Sequence, residues 1–304
     1  MIAEISALLE RHSILMEKYS LRLRKSNKIK TIHSSLAIEG NNLSEKQVSD
    51  ILNGKKVVAP LREILEVKNA IKAYDSFQKY DPFSISDLLK AHSEMMKSLV
   101  SEAGKFRSGG VGVFDDDKAV HIAPPAEMVS ELIENLFDWL KNSEDHPLIK
   151  SCVFHYEFEF IHPFADGNGR MGRLWQSLIL SKFNPLFQYL PVETMVYNNQ
   201  QNYYEAINDS SAKNDSGIFV DFMLGEILKT LKLHQTSQSG RVNGRLNGRV
   251  NDVLEFIRTN QGANTNDIAK ALNIPVRTLS RYLKSLSEFI EFRGAPKNGG
   301  YFLK

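Results

Sequence analysis

The sequence predicts a mainly α-helical protein with a β-hairpin inserted in its helical part and a small C-terminal winged helix-turn-helix domain. Three observations carry this reading. Apolar residues recur at three- and four-residue spacing through most of residues 44–234. Glycine and β-branched residues take over only between Phe106 and Pro124. A polar, glycine-containing stretch, Gln235 to Gly240, then separates a basic C-terminal segment from everything before it. The chain has 304 residues, enough for about two domains, and its 42% hydrophobic and 24% charged residues exclude a disordered or fibrous protein. Residues 241–304 carry 11 Lys and Arg against 5 Asp and Glu, a balance of +6; the whole chain is at +2, so residues 1–240 stand at −4. Opposite charge on the two parts suggests two jobs, the basic one directed at an acidic partner such as nucleic acid.

The elements follow in order. Ser44 to Gln47 (SEKQ) fits a capping box, opening a short helix that runs to Asn53 and Gly54. Helices are expected over Leu61–Tyr80, Ser86–Val100, Pro125–Lys141, Pro147–Phe160 and Gly217–His234, several opened by proline or serine. Arg107 to Phe114 (RSGGVGVF), three aspartates at 115–117 and Ala119 to Ile122 (AVHI) read as the two strands and turn of the hairpin. After the break at 235–240 comes a repeat, RVNG, RLNG, RVN, whose arginines at 241, 245 and 249 would share a face if helical, although its glycines oppose a stable helix. Helices at Asn251–Asn260, Thr265–Leu272 and Val276–Leu286 precede strands at Phe289–Arg293 and Tyr301–Leu303, which is the winged helix-turn-helix order. The domains are thus 1–82, 83–234, a linker at 235–250, and 251–304. No apolar run reaches the ~18 residues of a membrane span, and Met1 to Arg11 lacks the character of a secretory signal, so a cytoplasmic protein with no membrane partner is expected. The single cysteine, Cys152, excludes an internal disulfide or a cysteine-built zinc site.

The densest chemical string is Ile161 to Arg173, IHPFADGNGRMGR. A helix ends near His162 and another begins near Gly169 or Arg170, so the N–H groups of Gly167, Asn168 and Gly169 would emerge from a glycine-rich turn at a helix N-terminus, which favours an anion. Arg170 and Arg173 oppose the helix dipole where they stand, and their guanidinium forks match phosphate oxygens. The glycines at 167, 169 and 172 also fit Gly-x-Gly-x-x-Gly, but no strand series surrounds them, and no Gly-Lys-Ser/Thr follows as a P-loop would need. His162 can act as a base near neutrality, Asp166 is a hard oxygen ligand for Mg2+, and Asn168 can orient a phosphate oxygen. These residues point to phosphoryl or nucleotidyl transfer.

The string from His162 to Arg173 resembles the signature of the Fic family, H-P-F-x-(D/E)-G-N-G-R-x-x-R, with every fixed position filled. The resemblance extends from about Phe83 to Leu231 and includes the hairpin, which is similar to the family's flap. It implies a Fic-type helical domain that transfers AMP from ATP to a Tyr, Ser or Thr hydroxyl of a target protein or of itself. His162 would be the base, Asp166 would hold Mg2+, and Gly167, Asn168, Gly169, Arg170 and Arg173 would bind the triphosphate. Gly110, Val111, Gly112, Val113 and Phe114 would pair with the target backbone, and Tyr203 and Tyr204 would border the adenine. An acid at 166 resembles the metal-binding nucleotidyltransferases of the family rather than its kinase branch.

Upstream, Ser35 to Gly40 (SLAIEG) resembles the family's inhibitory pattern, (S/T)-x-x-x-E-(G/N). Ser35 and Glu39 are four apart on one face, Gly40 is a helix stop, and a carboxylate in a last turn needs a cation, for which Arg173 is the expected partner. In the C-terminal domain Arg277, Arg281 and Lys284 lie on the second helix of the helix-turn-helix pair and could contact DNA, or the same surface could meet a protein. A homodimer would also fit. Two further readings stay open: a regulator whose core senses nucleotide without reacting, and a transferase using another nucleotide.

Overall fold

A computed structural model describes residues 1–13, 21–115, 118–188, 190, 192–239, 246–287, 289–295 and 299–304. The chain forms two compact units, residues 1–230 and 231–304.

In the first unit α1 (Ile2–Ser13) and α2 (Leu21–Ile38) precede α3 (Glu45–Leu52), α4 (Leu61–Ser76) and α5 (Ile85–Met95). Both halves of the capping box form at Ser44 and Gln47, as the SEKQ string predicts. The fifth helix starts a residue earlier than the expected Ser86 because Ser84 caps it: its hydroxyl accepts from the Asp87 N–H. The hairpin follows as β1 (Gly112–Asp115) and β2 (Lys118–Ile122), an antiparallel pair whose register shifts between Val113 and Phe114. Its expected turn at 116–117 lies outside the described residues.

Next come α6 (Val129–Asn142), α7 (Pro147–Ile161) and α8 (Asn168–Phe183). The sixth helix buries Val129, Ile133, Leu136, Phe137 and Leu140, one stripe at helical spacing. The eighth is the core of the unit: every residue from Arg170 to Ser181 is buried, polar ones included. Trp175 at its centre packs near Tyr80 and Phe137 and donates its indole N–H to the Pro82 carbonyl at 3.0 Å. The polar residues on so deeply buried a helix must find partners inside the protein, and that requirement builds the site. The unit is completed by α9 (Val192–Asn198), α10 (Gln200–Lys213) and most of α11 (Gly217–Ser239).

The last of these continues through 235–239, where the composition suggests an irregular connection. Gln, Thr and Ser are only mildly unfavourable in helices, and no strong breaker precedes Gly240. The segment 240–245, with the first two arginines of the repeat, lies outside the described residues. In the second unit α12 (Leu246–Thr259) begins five residues before its expected start, followed by α13 (Thr265–Ala271), α14 (Val276–Ser285) and the antiparallel pair β3 (Ile290–Arg293) and β4 (Gly300–Leu303). Val253, Ile257, Ile268, Leu279, Leu283 and Ile290 form its core. Among the described residues no helix is long and apolar enough to cross a membrane.

Candidate active site

The loop joining α7 to α8 carries the chemical string, and three devices shape it. His162 caps α7 in the left-handed region, φ 51°, a conformation usually left to glycine. That turn takes its imidazole out of the helix. Its Nδ1 lies 3.3 Å from the Glu159 carbonyl, which can only accept, so the proton sits on Nδ1 and the Nε2 lone pair is left for chemistry. Asn168 closes the loop from the other side. Its amide accepts from the Phe164 N–H and donates to the Phe164 carbonyl, both at 2.8 Å. The side chain expected to orient a phosphate oxygen is therefore committed to holding the loop.

The third device escaped the sequence reading. Arg107, 3% exposed, donates to the carbonyls of His162 (2.7 Å), Gly109 (2.9 Å), Pro124 (2.5 Å) and Ile161 (3.3 Å). One guanidinium thus ties the end of α7 to both feet of the hairpin. Beneath the loop His92 stacks on Phe164 and accepts from the Gly104 N–H at Nδ1, so its Nε2 proton goes to the Asp166 carbonyl at 3.0 Å. Burial pushes the pKa of His92 down to about 4, keeping it in that neutral form.

Gly167 opens α8 at φ +90°, and no side chain caps the helix. The first-turn N–H groups that a helix cannot satisfy internally are thereby left for a ligand. Asp166, 37% exposed, faces Arg170 at 3.1 Å and Arg62 at 3.6 Å. Arg62 and Glu66 were not expected at the site; both come from α4, and Glu66 accepts from Asn41 at 2.8 Å. A single accessible carboxylate beside cation-rich phosphate donors suits Mg2+, which takes one or two carboxylates and completes its shell with phosphate and water. Among the described residues no cluster of three acidic, His or Cys side chains offers an all-protein cage.

Arg173 is 1% exposed and donates through Nη2 to the Glu39 carboxylate at 2.6 Å and to the Ser35 carbonyl at 3.0 Å. The expected juxtaposition of Ser35, Glu39 and Arg173 is thus present, made by the last turn of α2. Gly40 ends that turn at φ +85°. Gly169 lies against this pair: a Cβ there would come within 2.5 Å of the Glu39 carboxylate and 2.9 Å of Arg173 Nη1, so a side chain would have to displace them. Burial disfavours the Arg173 charge, yet the carboxylates of Glu39 and Glu159 outweigh it and hold the guanidinium above its ordinary range. The Glu159 carboxyl is pushed up by burial and pulled lower still by His155, His162 and Arg173, for a net fall. The Ser35 hydroxyl and Arg173 Nε are buried without partners.

Tyr203 differs from expectation. It is 1% exposed, and its hydroxyl meets His155 Nε2 at 3.0 Å within a buried chain that continues through Gln176 to Cys152. Tyr203 is a core residue here; its neighbour Tyr204 is 43% exposed. Paired tyrosines on a helix face opposite ways in part, and nothing local in sequence says which one looks inward. In the hairpin Gly110 is open, the Val111 carbonyl accepts from Ala123, and Gly112, Val113 and Phe114 fall on β1, which has no strand on its second edge among the described residues. In the second unit Arg277, Arg281 and Lys284 are exposed along α14.

The profile of the Fic/DOC family matches residues 82–180. A Fic family protein from Desulfovibrio desulfuricans G20, known from its crystal structure, is 41% identical, with a TM-score of 0.75, over 100% of this chain and 94% of that one. The protein adenylyltransferase Fic of Nematostella vectensis is 29% identical over 59% of this chain and 42% of its own length. Protein adenylyltransferase fic-1 of Caenorhabditis elegans is 32% identical over 54% and 34% respectively. The chain therefore spans less than half the length of the adenylyltransferases it matches.

Proposed function

The chain belongs to the Fic/DOC family, and we propose that it is an autoinhibited protein adenylyltransferase, moving AMP from ATP to a hydroxyl of a target protein or of itself and releasing pyrophosphate. The observation that carries the reading is the buried Arg173, held by Glu39 at the mouth of an uncapped, glycine-rich helix N-terminus.

In this mechanism the triphosphate lies along the first turn of α8. The N–H groups of Gly167, Asn168 and Gly169 donate to the phosphate oxygens, while Arg170 and Arg173 take the distal phosphates, in the preorganised manner that dominates phosphate chemistry. Mg2+ held by Asp166 would supply charge neutralisation to the phosphates. His162, its Nδ1 proton on the Glu159 carbonyl, removes the acceptor hydroxyl's proton at Nε2 as the oxygen attacks the α-phosphorus. The free edge of β1 positions the target backbone by strand addition, with Gly110 and Val111 at its foot. Tyr204, on the exposed side of α10, is the residue left to border the adenine.

Glu39 opposes this by occupying the cation the γ-phosphate needs. Parent, Glu39→Gly and Glu39→Gly/His162→Ala proteins are incubated with Mg2+ and ATP labelled on the α- or the γ-phosphate, and protein-bound label is scored. The reading requires label from α only, strongest in Glu39→Gly and absent from the double variant. Label from γ means a kinase, and no label at all means a nucleotide sensor or another donor.

The second unit is proposed to be a winged helix whose Arg277, Arg281 and Lys284 meet DNA phosphates. The full chain should then bind duplex DNA with a steep salt dependence that Arg277→Ala/Arg281→Ala flattens by about 2 in logarithmic slope. Unchanged salt dependence would assign that surface to a protein, or to a second copy of the chain.

A further inference from the structure

The mouth of the site carries a cation that the mechanism above does not use. Arg62 stands in the first turn of α4, its side chain 65% exposed, with Nη2 3.6 Å from Asp166 Oδ2 and Nε 3.4 Å from Glu66 Oε1. Arg170 meets the same two carboxylates: its Nη2 lies 3.1 Å from Asp166 Oδ1 and its Nη1 3.9 Å from Glu66 Oε1. Two acids and two arginines thus close a neutral ring in which each Asp166 oxygen faces its own guanidinium. Glu66 is fixed by the Asn41 amide, which donates to its second oxygen at 2.8 Å.

The two arginines are not equivalent. The Arg170 side chain is 4% exposed, and its Nε is buried without a partner. Packing holds it in place with a donor unmet. Arg62 faces Asp166 from beyond hydrogen-bond distance, and its pairing with Glu66 through Nε leaves the far end of the fork able to turn. When Asp166 takes Mg2+, two positive charges join a neutral ring and repel the guanidinium opposite the oxygen that is used. The arginine free to leave is Arg62. The anions within its reach are then the phosphates that share the metal with Asp166, and a planar guanidinium matches their oxygens.

We propose that Arg62 is a third triphosphate-binding residue, stored on Asp166 in the free chain and turned to the distal phosphates of ATP once Asp166 takes Mg2+. Glu66 keeps hold of Nε throughout, so the guanidinium stays at the mouth while its partner changes. Because its contribution falls on the distal phosphates, Arg62 selects a nucleoside triphosphate over a monophosphate. The inference rests on the phosphate site assigned to the first turn of α8, and it holds whichever group is transferred.

Binding rather than turnover tests it. ATP and AMP are titrated by calorimetry, with Mg2+ present, against full-length Glu39→Gly, Glu39→Gly/Arg62→Ala and Glu39→Gly/Arg62→Lys. Arg62→Ala should weaken ATP roughly tenfold and AMP less than about twofold, and lysine, which keeps the charge but not the fork, should recover only part of the loss. Unchanged or tighter ATP binding, an equal loss for AMP, or full recovery by lysine overturns the assignment, the last by reducing Arg62 to a background charge. The exposure of Arg62 keeps both substitutions compatible with the fold. Storage on Asp166 has its own readout, the electron paramagnetic resonance of Mn2+ without nucleotide. In the Glu39→Gly background Arg62→Ala should bind Mn2+ about threefold more tightly, by removal of a competing charge, and a further Asp166→Asn should abolish that gain. Equal Mn2+ affinity overturns the exchange. Failure of Glu39→Gly to bind ATP at all overturns the phosphate site and this inference together, whereas tight ATP binding that ignores Arg62→Ala overturns this inference alone.

Discussion

The Glu39 carboxylate lies 2.6 Å from the Arg173 guanidinium and directly over Gly169, whose missing side chain is what lets it approach. Two helices far apart in sequence meet at a point where a single methyl group would intrude.

That contact makes Gly169→Ala a probe of the lock. Alanine in place of a helical glycine is worth roughly 0.5–1 kcal/mol. In the parent that gain is opposed by the clash with Glu39, of the order of 1–3 kcal/mol for overpacking. In Glu39→Gly the contact with the carboxylate is gone and only that with Arg173 Nη1, at 2.9 Å, is left. Denaturant unfolding of the four proteins of the cycle should therefore show a coupling of about 1 kcal/mol or more between the two positions. Additive effects would mean that Glu39 does not occupy this place in solution.

Tyr203 and Tyr204 should separate cleanly. Tyr203→Phe removes the hydroxyl from His155 Nε2 and leaves a buried acceptor unpaired, a loss of about 1–3 kcal/mol in stability. ATP affinity, measured in the Glu39→Gly background by calorimetry, should stay within twofold. A tenfold loss of ATP affinity at unchanged stability would return Tyr203 to the adenine pocket.

Arg107 holds four backbone carbonyls with one fork, a task lysine's single ammonium cannot perform. Arg107→Lys should cost about 2–4 kcal/mol, at the high end of single substitutions because buried carbonyls are orphaned. Hydrogen exchange should quicken in the hairpin and in the 162–167 loop before it does in α6. Uniform change across the first unit would show that Arg107 does not specifically couple hairpin and loop.

Acid should weaken the fold through His92. Its folded pKa, about 4, lies below the unfolded value near 6.5, so the unfolded chain binds a proton that the folded one refuses. The His92 contribution is whole above about pH 6.5 and declines to its minimum near pH 4, a change of roughly 3 kcal/mol by the shift alone. His33, also lowered by burial, adds in the same direction. His92→Gln, which keeps a donor and an acceptor but does not titrate, should flatten the stability profile between those limits. An unchanged profile would place the acid sensitivity elsewhere.

Much of the site is visible in the order of residues because its parts are local. A helix that stops at His162, a glycine-rich turn at 167–169 and two arginines four and seven residues beyond Asp166 are properties of one short string, and helical geometry alone sets them around a helix N-terminus. Ser35, Glu39 and Gly40 are similarly local: spacing places the first two on one face, and a positive φ at the third ends the helix. Capping at Ser44 and the switch to a hairpin after Phe106 follow from turn chemistry and residue shape within a few positions.

Other assignments required the tertiary structure, since they depend on which partner arrives from elsewhere in the chain. Asn168 has the chemistry to hold a phosphate oxygen, but the closed loop brings the Phe164 backbone to its amide first. Tyr203 turns inward because His155, 48 residues earlier, offers an acceptor inside the core. Arg107 and Arg62 look like ordinary charges in sequence; the distant groups they meet in the fold give them roles. Residue order by itself determined the helices between Ser44 and Phe183, the glycine turn and the spacing of its arginines, because those depend on bonds between near neighbours, whereas α1, α9 and α10 came only with the structure. The tertiary structure decided which polar groups remain open to a ligand, because a buried donor or acceptor takes the nearest partner that packing delivers.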